Sequence, residues 1–328
     1  MLVNYYFYRK PWFGKWSIVQ IDIYLVTGSA VVGFLVGMTG LGGGALMTPM
    51  LVLIFGIAPS AAISSDLIAA LFMKPFGVAI HWKRKTVQSG IVKLLCIGSV
   101  PMAFLGTYVM HLMGNSATAE RNLEILLGTA LIFGATAMIV RSFLPGQHRQ
   151  TNNPLVLRKY PTIAIGAVGG FMVGLTSVGA GSMILVLLLM VYPNLKNHQL
   201  VGTDLAQSIP LTMAATAGTL LFGHVEFALT LSIIIGSVPA VIVGSLISSK
   251  GTFQIVRPFI AGVVLLSGLK YVGLPIPALG VAAVIITAIV IVMTVRATRA
   301  DKPEVIELEL LHDDALNASL PIVVAPER

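Results

Sequence analysis

Two carboxylates, one lysine and two glycine-rich stretches hold the chemistry open to this chain. Of its 13 acidic residues, seven lie at or beyond Asp301, while Asp22, Glu120, Glu124 and Glu226 fall near the ends of apolar runs. Only Asp66 and Asp204 fall inside such runs. Lys74, in the same run as Asp66 and directly before Pro75, is the only lysine or arginine placed as deeply. The helical rise between Asp66 and Lys74 is about 12 Å, so both can line one side of a cavity. A carboxylate at the centre of a lipid-embedded helix costs about 2.5 to 3.5 kcal/mol and must face a cavity or a partner. Asp66 and Asp204 can therefore carry a coupling proton or bind an ion. They can also cap a helix start, since "SSD" and "GTD" read as N-terminal signatures. Lys74 can bind an anion, or pair with either aspartate.

The glycine-rich stretches are "GMTGLGGGALMTP", Gly37 to Pro49, and "GLTSVGAGSMI", Gly174 to Ile184. Glycine frees the backbone and proline removes a donor, so neither stretch continues as plain helix. Broken backbone at membrane depth survives where it is buried in protein or lines a cavity, and in paired repeats it marks transporter sites. Freed amides at Gly42, Gly43 and Gly44, and at Gly179 and Gly181, would favour an anion, because helix starts carry partial positive charge. Thr39, Thr48, Thr176, Ser177 and Ser182 would add hydroxyl donors. Close helix packing is the plainer role, and it fits Gly33 and Gly37 best.

The elements that must position these groups follow from composition. The 328 residues are 56% hydrophobic and 10% charged, with a mean hydropathy of +0.91. Apolar runs able to cross a bilayer recur from Ile21 almost to Val295 without period-two alternation, so the fold is an all-α, polytopic integral membrane protein. "GFLVGMTGLGGGALM" from Gly33 aligns with "GFMVGLTSVGAGSMI" from Gly170, 137 residues on. At an offset of 138, Asp66 aligns with Asp204, Gly106 with Gly244, and "IGSVP" at Ile97 with "IGSVP" at Ile235. The chain thus divides into two homologous helical repeats with helices broken at the Gly-rich motifs. The expected segments are an interfacial stretch over 1–20, the first repeat over 21–141, a basic loop over 142–160, the second repeat over 161–271, an extra span over 274–295 and an acidic soluble tail over 296–328. Within the first repeat the spans are expected near 21–40, 44–57, 62–82, 90–113 and 122–141.

Charge orders these spans. With the N-terminus outside and the repeats inverted, the Lys83 to Lys85 loop, the central loop, Lys196, Lys250, Arg257 and the basic cluster after the last span all face the cytoplasm. Parallel repeats would place several of them outside. The same loop placement accounts for the net charge of +8 and leaves no role for nucleic acid. The lone Cys96 forms no intramolecular disulfide. "GLGGGA" fits a dinucleotide-binding pattern, but a long apolar segment precedes it where a short strand should stand. No phosphate loop, zinc-protease or serine-hydrolase motif occurs, so no cofactor is expected. An enzyme would need a nucleophile and base in reach, and the spans offer only His81 or His111 without a clear partner.

"GMTGLGGGALMTPMLVLIFGIAP", the alanine-rich "SSDL" span with its Lys-Pro, "VGTDLAQSIPLT", "FGHVEF" and "IGSVPAVIVGS" together resemble the sulfite exporter TauE/SafE family of bacterial membrane proteins. The resemblance covers Ile21 to Tyr271. It implies movement of a small sulfur-containing anion such as sulfite, a sulfonate or sulfoacetate, in the bacterial inner membrane and without ATP hydrolysis. "SSD" in the first half departs from the more family-like "GTD" of the second, and the span after Gly273 lies outside the core pattern. The expected function is a secondary anion transporter, with possible proton or sodium coupling. The alternative is a non-transporting assembly or sensor partner acting through the acidic tail.

Overall fold

The computed structural model describes residues 21–39, 43–83, 87–114, 116–143, 157–179, 181, 183–193, 195, 197–223, 225–248, 256–292 and 294. Segment 1–20, Gly42, Ser182 and tail 296–328 lie outside the described residues, as does most of the central loop. Apart from an isolated bridge between Gly179 and Gly181, every regular element among the described residues is helical. The order is α1 (Ile23–Thr39), α2 (Gly44–Pro49) continued by a π-helical turn (Met50–Ile54), α3 (Pro59–Lys83), α4 (Ser89–Met113) and α5 (Ala117–Phe143). Then come α6 (Lys159–Thr176), α7 (Met183–Val191), α8 (Asn197–Phe222), α9 (Phe227–Ser248), α10 (Val256–Val272) and α11 (Ile276–Val292).

Local chemistry sets several of these limits. α3 opens on Pro59, a residue suited to the first helical turn because its missing N–H has no partner there anyway. α5 starts at Ala117, earlier than the expected 122, because Ser116 Oγ accepts the Ala119 amide at 3.1 Å and caps the first turn. Pro49 lies inside α2, and the chain continues in the wider π geometry, with the Phe55 amide reaching Met50 O at 3.3 Å.

Four helices among the described residues are long and apolar enough to cross a bilayer: Ser89–Met113, Ala117–Val140, Gln199–Phe222 and Phe227–Ile247. α3 is as long as α4, but its serines, Asp66 and Lys74 make it more polar. It packs against α8 and α9, which shield that polarity. The short Gly44–Ile54 segment and α7 rise only about 16 Å and 14 Å, against a hydrocarbon core of about 30 Å. Neither crosses alone. Tyr192, just past α7, meets the start of α6, its hydroxyl lying 2.6 Å from Thr162 Oγ1 and accepting the Arg158 amide at 3.0 Å. α6 and α7 therefore form a hairpin that leaves on the side where it enters.

The largest interhelical contacts cross between the sequence halves, α1 on α9 and α4 on α6. Glycine makes both possible. A Cβ at Gly33 would strike the Ser237 backbone and one at Gly37 the Val241 carbonyl; on the other side, Gly170 meets Ser99 and Gly174 meets Ala103. Gly244 against Phe34 likewise has its counterpart in Gly106 against Phe171. Positions matched in the sequence alignment thus make matching contacts, and both helix pairs run parallel. α3 and α8 run antiparallel, with Thr216 Oγ1 donating to Leu67 O and Lys74 Nζ to Thr212 Oγ1.

Candidate functional site

Asp66 is fully buried on α3, and its Oδ2 accepts two hydroxyl hydrogen bonds from different elements. Thr48 Oγ1 donates from α2 at 2.8 Å, and Ser177 Oγ donates from the end of α6 at 2.7 Å. Asp66 Oδ1 is buried with no hydrogen-bond partner among the described residues. Each donor owes its place to a break in a helix. Ser177 is the only non-glycine residue with positive φ among those described, at φ 59°, and its amide closes α6 on Val173 O at 2.7 Å. Thr48 lies on α2, whose first turn hangs from Gly43 O through the Leu46 and Met47 amides.

The two glycine stretches meet here. A Cβ on Gly44 would overlap the Ser177 carbonyl, so only glycine lets α2 approach α6 this closely. Gly43 faces the Met73 side chain and Asp66 Oδ1, which lies 3.8 Å from where its Cβ would stand. Gly179 and Gly181 carry φ of 127° and 94°, a region that favours glycine, in the turn after Ser177.

Not every expected donor faces outward. Thr39 Oγ1 donates to Leu35 O at 2.7 Å and Thr176 Oγ1 to Met172 O at 2.7 Å, so both hydroxyls bond back onto their own helices. The helix-start role expected for Asp66 and Asp204 is corrected by the helix limits. Each lies seven residues past the first residue of its helix, Pro59 or Asn197, beyond the turn whose amides are free.

Lys74 lies two turns along α3 from Asp66 and donates to Thr212 Oγ1, with both Asp204 and Asp66 within electrostatic reach of its ammonium. Thr212 Oγ1 in turn donates a hydrogen bond to Ser208 O at 2.6 Å. Asp204 is buried on α8. Thr212 escaped the motif-based reading although the 138-residue offset maps Lys74 onto it. Gln207 escaped it too: it is fully buried, and both polar atoms of its amide lack partners among the described residues. Its repeat counterpart is Ala69, so no symmetric signal marks it. His111 is exposed at the end of α4 beside the Phe222 ring, at 5.9 Å between centroids.

The arrangement is a buried carboxylate fed by hydroxyls from two broken helices, with a lysine and a second carboxylate further along the same bundle. Such a cluster has the chemistry to hold a proton or a small ion. The sequence matches the family Sulfite exporter TauE/SafE over residues 25–271. It is 40% identical over 247 residues to the "Probable membrane transporter protein YjnA" of Bacillus subtilis strain 168, covering 74% of this chain and 96% of that protein. It is 24% identical over 242 residues to YdhB of the same organism, also named a probable membrane transporter protein, covering 72% and 96%. No solved structure matches the chain. The matched span runs from α1 to α10 and includes every site residue described above, and the chain belongs to the sulfite exporter TauE/SafE family of membrane transporters.

Proposed function

We propose that this membrane transporter is a secondary carrier of a small sulfur-containing anion, sulfite, a sulfonate or sulfoacetate, coupled to protons through Asp66. The observation that carries the reading is the pair of hydroxyls, Thr48 and Ser177, that converge on Asp66 Oδ2 from the two glycine stretches. An ionised carboxylate only accepts, so it occupies both donors; once protonated it releases them, and they can turn to an anion. Proton and anion then enter one site together, which offsets the cost of burying either charge alone. The anion would lie between Gly42–Gly44 and Gly179–Gly181, with Ser182 as a further donor. Lys74 would supply positive charge and Asp204 would balance it when the site is empty.

The two sequence halves are placed as inverted repeats in the bacterial plasma membrane, with the N-terminus outside. The antiparallel course of α3 and α8 supports this.

Flux of labelled sulfite and sulfoacetate into proteoliposomes, with and without an imposed pH gradient, tests the reading. The wild type should accumulate anion only with the gradient, and Asp66→Asn should lose that dependence. Gradient-driven uptake unchanged in Asp66→Asn would remove Asp66 from the coupling, and no flux of any sulfur anion would remove the substrate assignment.

A further inference from the structure

A cleft of about 570 Å³ lies away from Asp66, where the start of α5, the end of α10, the start of α11 and the π-helical turn converge. Helix ends gather at a membrane–water interface, and the polar lining fits that depth. Arg121, half exposed, and Lys270, exposed, supply two positive charges. Glu124 offsets one of them through an ion pair with Arg121 at 2.7 Å. Gly273, with φ of 99°, turns the chain between α10 and α11, and a Cβ there would stand 2.9 Å from an Arg121 nitrogen. The floor of the cleft carries a second, independent feature. Tyr271 lines it and is 2% exposed, yet its hydroxyl has no hydrogen-bond partner among the described residues. A buried phenol is ordinarily satisfied, so a polar group from outside the described residues belongs against it.

The rim identifies that group. Leu53 and Ile276 line the cleft at 40% and 76% exposure, and both present apolar surface fit for acyl chains. We propose that the cleft binds the phosphate of an anionic glycerophospholipid, with Arg121, Lys270 and the Tyr271 hydroxyl as its donors. Basic pockets between membrane helices take lipid head groups in this way. The net charge of the lining, one positive, selects an anionic lipid over a zwitterionic one. The assignment stands on the embedding of the chain in a membrane and is independent of what the chain transports.

Native mass spectrometry of the full chain, equilibrated with equal amounts of phosphatidylglycerol and phosphatidylcholine, tests it. The wild type should retain one phosphatidylglycerol in preference to phosphatidylcholine by about fivefold or more, the effect of roughly one basic contact near the surface. Lys270→Gln, which leaves the Arg121–Glu124 pair in place, should bring the two lipids close to parity. Tyr271→Phe should lower retention at an unchanged melting temperature, and Lys93→Gln, an exposed basic residue on α4, should change nothing. Equal retention of both lipids by the wild type, or an undiminished preference in Lys270→Gln, would overturn the proposal. Displacement of the lipid by free glycerol phosphate would also overturn it, by assigning the cleft to a soluble anion.

Discussion

Asp66 concentrates the residue-scale consequences. Its Oδ2 holds Thr48 and Ser177, and a hydrogen bond to a charged acceptor contributes about 1.5 to 3 kcal/mol. Thr48→Val keeps the shape and removes one donor, so the protein should lose stability by about that amount, read as a lower melting temperature in detergent. Asp66→Ala should cost more than Asp66→Asn, because alanine leaves two buried hydroxyls without an acceptor whereas asparagine still offers one. Equal melting temperatures for the two variants would contradict that hydrogen-bond account. The importance of Asp66 was legible in the sequence, since a carboxylate inside an apolar run has few reasons to be there. Its partners were not. Thr39, Thr48 and Thr176 are alike in composition and context, yet two of them bond back to their own helices and one reaches Asp66. Backbone direction at each helix end decides between those outcomes, and residue type does not encode it.

Among the elements, glycine runs and Pro49 led to the expectation of broken helices; α1 ends at Thr39 and α2 starts at Gly44, with residues 40–42 outside the described residues. The expected span over 44–57 is shorter in the structure, closing at Ile54, because the π turn after Pro49 ends the helix. The role of individual glycines separates by neighbour. Gly33 and Gly37 face the backbone of α9, as close-packing positions do, whereas Gly44 faces Ser177 in the site. Gly44→Ala should therefore cost about 1 to 3 kcal/mol through overpacking and also disturb the Ser177 hydroxyl, lowering flux in protein that still inserts. Gly37→Ala should cost a similar amount and leave the substrate affinity of the surviving protein unchanged. Measuring flux against anion concentration for each variant distinguishes a site glycine from a packing glycine.

At the scale of the whole molecule, the sequence repeat gave the two halves but not their embrace. Matching "IGSVP" segments mark corresponding places in the two sequence halves; they do not say that each packs on the other half's first helix, as Ser237 does on Gly33 and Ser99 on Gly170. Residues of the two halves also share one buried cluster, which joins Leu67, Ile91 and Leu123 to Leu188, Leu200 and Leu211. Neither half holds a complete core. Expressed alone, 1–141 or 161–271 should be degraded, while the two co-expressed as separate chains should assemble and regain flux. Stable accumulation of either half by itself would show that the crossed contacts are dispensable.

The crossed packing also makes the two ends of the chain unequal in time. α6 emerges after its partner α4 has been made, but Gly37 waits for Val241, roughly 200 residues later, which at ribosomal speeds is on the order of 10 to 40 seconds. During that interval the glycine face of α1 meets only lipid, and the first half stands open in the bilayer. Membrane chaperones and quality-control proteases have their opportunity then, so a slowed ribosome between α5 and α9 should lower the yield of finished protein more than the same delay placed after α9.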